Sequence, residues 1–121
     1  MFDHIGLRVK DLAKSARFYE AALAPLGHVI GSRDETSVSI GPPGRASLFL
    51  YQADGSAHRG THVAFTANER GAVAKFHERG LAGGGTDNGA PGVRTDYASN
   101  YYAAFLVDPD GNNVEAVWFA D

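Results

Sequence analysis

The chain has no cysteine, which excludes a disulfide scaffold, a thiolate metal site and a thiol nucleophile of its own. Any metal must therefore sit on His, Asp or Glu. There is no surplus of positive charge either: 11 Lys and Arg stand against 14 Asp and Glu, a formal net charge of −3. That balance argues against nucleic acid as the main partner, because neutralising phosphates takes a basic face. No apolar run approaches the length of a membrane-crossing helix. Met1-Phe2-Asp3-His4 has neither the basic nor the apolar region of a secretion signal. No membrane partner is expected, and a cytoplasmic location is. What is present is the make-up of one globular domain: 121 residues, 44% hydrophobic and 21% charged, enough to bury a core without staples.

The informative feature is an internal repeat. Shifted by 58 residues, Asp3–Gly27 lies over Thr61–Gly85 without a gap. His4 falls on His62, Ile5 on Val63, Leu7 on Phe65, Asp11 on Glu69, Phe18 on Phe76, Leu23 on Leu81 and Gly27 on Gly85. Each copy opens with a period-two run, Ile5/Leu7/Val9 and Val63/Phe65/Ala67, which reads as a strand with one face on a core. A helix follows each. Asp11 caps the first, whose buried face is Leu12, Ala16, Tyr19, Leu23 and Leu26; Asn68 is expected to cap the second, over Val73, Phe76 and Leu81. Strands are predicted at 28–32, 36–40 and 47–52, then at 101–107 and 112–119, the last two joined by the turn Asp108-Pro109-Asp110-Gly111. Residues 83–91 read as a loop with one short edge strand. The order is βαβββ written twice, over about 1–54 and 60–121, with Gly55–Gly60 as a short linker. The expected fold class is α+β: paired βαβββ modules in one domain, forming a curved mixed sheet cup with helices outside.

Strand alternation aims the chemistry. If the apolar set of each first strand covers its helix, His4 and His62 fall on the opposite face, and pseudo-symmetry can bring them together. In the last strand Glu115 lies among Val114, Ala116 and Val117, where a carboxylate is costly to bury unless paired or bound to a metal. Histidine is 5 of 121 residues, so a second His at the matched position arises by composition about once in 25. Two imidazoles and a carboxylate on rigid strands suit a divalent ion with open positions, which would act as a Lewis acid on a substrate oxygen. His28, His58 and His77 are expected to be solvated or locally bonded.

These residues resemble the vicinal-oxygen-chelate superfamily, which includes glyoxalases, bleomycin-resistance proteins and extradiol dioxygenases. The carriers are Asp3-His4-Ile5-Gly6-Leu7-Arg8-Val9 with Asp11-Leu12 and Phe18-Tyr19, then Thr61-His62-Val63-Ala64-Phe65, and above all Asp108-Pro109-Asp110-Gly111-Asn112-Asn113-Val114-Glu115-Ala116-Val117. The stretch from Gly84 to Gly92, followed by Tyr101-Tyr102-Ala103-Ala104-Phe105, is similar to a bacterial subgroup. The resemblance implies a divalent metal (Fe, Mn, Zn or Ni) on His4, His62 and Glu115. It also implies a homodimer, sometimes with the metal site built from both chains. A metal-dependent lyase, dioxygenase or transferase acting on a small oxygen-rich substrate follows; the alternative is a non-catalytic small-molecule or antibiotic binder of the bleomycin-resistance kind. Glyoxalase I-like members carry a further acidic or amide ligand on the fourth strand. Here Leu48 or Phe49 takes that position, and neither coordinates, which counts against isomerase chemistry. Thiol transferases of the family carry a hydroxyl two residues after the first His, where this chain has Gly6.

Arg8 shares the open face with His4, where it can hold a substrate carboxylate or phosphate or pair with Glu115. Arg94, Asp96, Tyr97, Tyr101 and Tyr102 cluster before the seventh strand; with Arg8, residues Arg94, Tyr97 and Tyr102 are the substrate-binding candidates. No catalytic acid or base is assigned. Asp108, Asp110 and Asn112 do not make a calcium loop, since Gly111 is fourth rather than sixth, and the Gly83–Gly85 run lacks the Lys and Ser/Thr of a phosphate loop.

Overall fold

The computed structural model describes all residues from Met1 to Asp121. Strand β1 (Ile5–Val9) sends Leu7 and Val9 into the core and leaves Gly6 and Arg8 outside. Helix α1 (Leu12–Leu23) starts at Asp11, whose carboxylate accepts the Lys14 N–H at 3.1 Å and so satisfies one of the helix's orphan donors. A single 3-10 turn (Ala24–Leu26) ends at Gly27, whose φ of 91° suits glycine. Strands β2 (Val29–Arg33), β3 (Ser37–Gly41) and β4 (Leu48–Gln52) complete the first module. The second repeats the order: β5 (His62–Thr66), α2 (Arg70–Ala82), β6 (Thr86–Val93), β7 (Tyr101–Val107) and β8 (Asn113–Phe119). Neither helix is long and apolar enough to cross a membrane.

Three sequence expectations need correcting: Leu81, expected on the buried face of α2, is exposed, and Ala72 and Gly80 join Val73 and Phe76 there instead. The cap position of α2 is Glu69, not Asn68, and it makes no side-chain hydrogen bond. The repeat already pairs Glu69 with Asp11; the high cap propensity of Asn pointed one residue too early. The stretch read as a loop with a short edge strand is the eight-residue β6, paired with β7 through irregular register between Asp87 and Gly92. Its glycines and Pro91 hide the strand because they sit at these bulges.

Each module forms one four-stranded sheet, in the orders β1-β4-β3-β2 and β5-β8-β7-β6. β1 runs parallel to β4 and β5 parallel to β8, which is why each first strand is followed by a crossover helix. The sheets share a core but no ladder. The linker occupies the free edge of β1 instead: His58 N–H donates to Arg8 O, and Arg8 N–H donates to His58 Nδ1, both at 2.8 Å. One cluster of 21 buried residues draws on both modules. The helices meet at repeat-matched positions, Ala22 and Gly80. A Cβ at Gly80 would lie 3.2 Å from that of Ala22 and 2.2 Å from Leu106 Cδ1, so only glycine lets α2 sit this close.

A buried polar knot fixes the entry to β5. Asp108 Oδ1 accepts the N–H groups of Asp110 and Asn112, both at 2.9 Å. Its Oδ2 accepts the Tyr19 hydroxyl from α1 and the Asn112 side-chain amide. Asn112 in turn donates to His58 O at 3.0 Å and accepts from Thr61 N–H at 3.1 Å. The turn between β7 and β8 thus ties the first helix, the linker and the residue before His62 into one unit. Burial and the Asp108 charge push the Tyr19 hydroxyl well above the usual tyrosine range, so it stays a donor.

Candidate functional site

In β8 the core takes Val114 and Ala116, so alternation puts Glu115 on the other face of its sheet. Register places it between Ala64 of β5 and Phe105 of β7. It is nevertheless only 2% exposed, because neighbouring side chains close over it. His62 Nε2 lies 3.0 Å from Glu115 Oε1, and the Tyr101 hydroxyl donates to Oε2. His62 Nδ1 lies 3.3 Å from the Asn113 carbonyl. A carbonyl only accepts, so Nδ1 carries the hydrogen and Nε2 is the atom turned to the carboxylate. Burial, then the hydrogen bond to Glu115 and its charge, push Tyr101 up to about 12. At neutral pH it is therefore a protonated donor that holds one oxygen of Glu115 in place.

This pair has the spacing of metal ligands. Two donors each about 2.1 Å from one ion and at right angles stand about 3 Å apart, and the Asn113 carbonyl supplies the outer contact that orients a ligating imidazole. The third expected ligand is elsewhere. His4 lies on the first sheet, exposed, with Nδ1 2.7 Å from Asp3 Oδ2; this contact holds the Asp3 carboxyl below its usual range. Its ring stands edge-on to Phe49 at 5.3 Å. Within one chain no three His, Asp or Glu side chains gather as a metal group. His62 and Glu115 fit the ion; His4 does not reach them.

The register also settles which fourth-strand residue matches Glu115. Gly6 pairs with Phe49 as Ala64 pairs with Glu115, so Phe49, not Leu48, holds the repeat-matched position.

The substrate-binding candidates divide. Arg94 lies with its guanidinium 5.4 Å over the Phe105 ring, and Tyr97 packs edge-on to Tyr101 at 5.0 Å; both line a cleft of about 490 Å³ that reaches Phe105 and Asn113. Tyr102 does not join them. It points to the helix side, against the core, with the Arg70 guanidinium 4.5 Å over its ring. Its neighbour Tyr101 is the tyrosine on the Glu115 face. Arg8 is exposed on the first sheet and pairs with no carboxylate; its backbone N–H donates to His58 Nδ1 at 2.8 Å. His58 is thus part of the linker edge, and His77 bonds Asp87 at 2.8 Å. His28 differs from expectation: its Nδ1 is shut from solvent without a partner, and burial pushes its pKa down.

Sequence reasoning missed the part Tyr101 plays because Tyr101–Val107 is apolar throughout and carries no alternation to fix its phase. It read Asp108 only as a turn residue, since Tyr19 lies 89 positions away.

The fold has counterparts among known proteins. The sequence pattern of the Glyoxalase/Bleomycin resistance protein/Dioxygenase superfamily matches residues 1–116. A crystal structure of a glyoxalase/bleomycin resistance protein from Albidiferax ferrireducens is 31% identical, covers 99% of both chains and superposes with a TM-score of 0.83. A glyoxalase/bleomycin resistance protein/dioxygenase family enzyme from Burkholderia phytofirmans shares the fold at 16% identity, with 98% of both chains covered and a TM-score of 0.75. A glyoxalase-related enzyme from Fulvimarina pelagi does so at 22% identity, covering 94% of this chain and 84% of its own, with a TM-score of 0.72. No curated protein matches. The superfamily pattern over residues 1–116, the 31% identical relative and the paired βαβββ modules place this chain in the glyoxalase/bleomycin-resistance/dioxygenase superfamily.

Proposed function

We propose that this chain is a metal-dependent enzyme acting on a small oxygen-rich molecule, as a cytoplasmic homodimer whose site is completed across the subunit boundary. The observation that carries this reading is Glu115: a carboxylate 2% exposed on an apolar strand, with one oxygen on His62 and the other on Tyr101. Burying such a group has a cost that a bound cation offsets. His62 and Glu115 would hold a divalent ion, with His4 supplied by a second copy of the chain. The ion would supply Lewis acidity toward a substrate oxygen. Tyr101 is a positioning residue: its hydroxyl fixes the carboxylate and keeps its own proton at neutral pH. Phe49 brings no carboxylate to the matched position, so a proton shuttle between two carboxylates is not part of the proposal.

The open faces of both sheets favour pairing. Val29 and Tyr51 in the first module, and Tyr97 and Phe119 in the second, are large and exposed, apolar surface that a second copy would cover. Elemental analysis of protein purified with added Mn, Fe, Zn or Ni, together with its mass in solution, tests the reading. The expected result is about one ion per chain in a dimer, lost in both Glu115→Ala and His4→Ala. No stoichiometric metal in the unmodified protein would end it. The second reading, a binder without metal, is favoured by Phe49 and the aromatic lining; it predicts ligand affinity unchanged by a chelator.

A further inference from the structure

The glycine-rich stretch Asp87-Asn88-Gly89-Ala90-Pro91-Gly92 has no part in holding Glu115, yet it is shaped around one side chain. Two register breaks in β6 flank Gly89, and Arg94 folds back along them. Its Nη2 donates to the Ala90 carbonyl and its guanidinium covers Phe105. A Cβ at Gly89 would lie 3.2 Å from Arg94 Nη2 and 3.0 Å from Phe105 Cδ1; one at Gly92 would lie 3.4 Å from Nη1. Gly89 gives the guanidinium its room, and Gly92 borders it at ordinary contact distance. Arg94 is half-buried and, with all the chain's ion pairs assigned, pairs with no carboxylate. Asp96 lines the same cleft but is exposed and makes no ion pair with it. A guanidinium has five N–H donors, and one Ala90 carbonyl leaves most of them free. Phe105 also adjoins the proposed metal pair: it is the register partner of Glu115, and the His62 ring lies nearly parallel to it with centroids 6.5 Å apart.

We propose that Arg94, cradled by the glycines of β6, is an anion subsite that takes the carboxylate of a small ligand whose flat body lies along Phe105 toward His62 and Glu115. The fork geometry of a guanidinium stacked on an aromatic ring matches a carboxylate in two parallel hydrogen bonds. The ring beneath it gives the ligand body an apolar floor. This deepens the functional reading by naming a substrate class, small planar monocarboxylates, and it rests on that reading only for the direction in which the ligand extends.

Benzoate and its neutral isostere benzamide are the probes, with inorganic phosphate as the bare oxyanion, each titrated by calorimetry and NMR. Benzoate is expected to bind about tenfold or more tightly than benzamide, the worth of one charge-assisted pair. Arg94→Gln should erase that preference, and Arg94→Lys should keep only part of it. Gly89→Ala should weaken benzoate although the arginine remains. Arg33→Gln, on the far edge of the first sheet, should leave both affinities as they were. Equal affinity for benzoate and benzamide, or a preference that survives Arg94→Gln, overturns the proposal. Phosphate binding as tightly as benzoate through Arg94 overturns the planar-body half of it. The Glu115→Gln protein separates the two readings: benzoate preference should persist there while metal is lost. An unmodified protein that binds no metal but keeps the Arg94-dependent preference would sink the metal reading alone.

Discussion

The two modules place different chemistry on the same scaffold. In the first, the open face presents His4 against Phe49 and the short β2–β4 strands of five residues each. In the second, the matched positions hold His62 against Glu115, with strands of eight, seven and seven residues. Aromatic replaces carboxylate at one register position, and the half with the carboxylate also has the longer strands. The extra length carries Tyr101 at the start of β7, whose hydroxyl holds Glu115. The turns differ in the same sense. The β3–β4 connection is held mainly by backbone, Arg45 N–H to Pro42 O and Ser47 N–H to Ile40 O, both 2.9 Å, with one exposed side-chain bond from the Ser47 hydroxyl to Arg45 O at 3.1 Å. The β7–β8 connection is built on buried Asp108. A duplicated unit can thus keep an aromatic side chain in one copy at the register position where the other carries a buried carboxylate.

The turns give the largest expected effect. Asp108→Ala leaves two backbone N–H groups, the Asn112 amide and the Tyr19 hydroxyl without their acceptor. The expected cost is about 3–5 kcal/mol, seen as a Tm lower by about 10 °C or more. Arg45→Ala in the other turn should stay within about 0.5 kcal/mol. Equal losses in the two variants would break the contrast between a knotted and a backbone-held turn. Because Asp108 also ties α1 to the residue before His62, its loss should lower metal uptake, whereas Arg45→Ala should not.

A smaller effect separates the matched residues. Glu115→Gln keeps the shape but replaces one of the carboxylate oxygens that contact His62 and Tyr101, at about 1–2 kcal/mol; Phe49→Leu, half-buried, should cost about 1 kcal/mol. Stability barely distinguishes them, but metal content does: it should vanish with Glu115→Gln and persist with Phe49→Leu. Loss of metal in both would mean that the first module's wall is part of the ion site.

How much of this was legible follows from the repeat. A gapless offset of 58 runs from His4/His62 to Gly27/Gly85, so the order of elements, the matched histidines and the Asp11 cap of the first helix could be read directly. The offset has grown to 66 by Phe49/Glu115, because β6 and the segment after it are longer. That drift is why Leu48 and Phe49 could not be told apart without strand pairing. Where strands alternate, as in β1, faces were readable. Where they are apolar throughout, as in β7, Tyr101 and Tyr102 could not be assigned to opposite sides. Whether His4 would meet His62 depended on the placement of two sheets, and local pattern carries nothing about that. The linker's occupation of the β1 edge, through His58 and Arg8, was invisible for the same reason.

Tyr101 supplies the finest test of the asymmetry, because the first module has no tyrosine bonded to a strand-four carboxylate. Its pKa in the folded chain is about 12, against an ordinary 10. The unfolded chain therefore releases this proton first as pH rises, and above pH 10 it binds fewer protons than the folded chain. Stability linked to Tyr101 is thus fully present below about pH 10 and is lost progressively toward pH 12. Solvent reaches part of the ring, which keeps the effect small. Tyr19, buried against Asp108, shifts in the same direction, so the quantity to read is the difference between the unmodified protein and Tyr101→Phe. Urea unfolding at steps from pH 9 to 12 should show the two curves converging as the unmodified protein loses what the variant never had. Parallel curves would mean that Tyr101 and Glu115 are not coupled in solution, and the carboxylate would then owe its orientation to His62 alone.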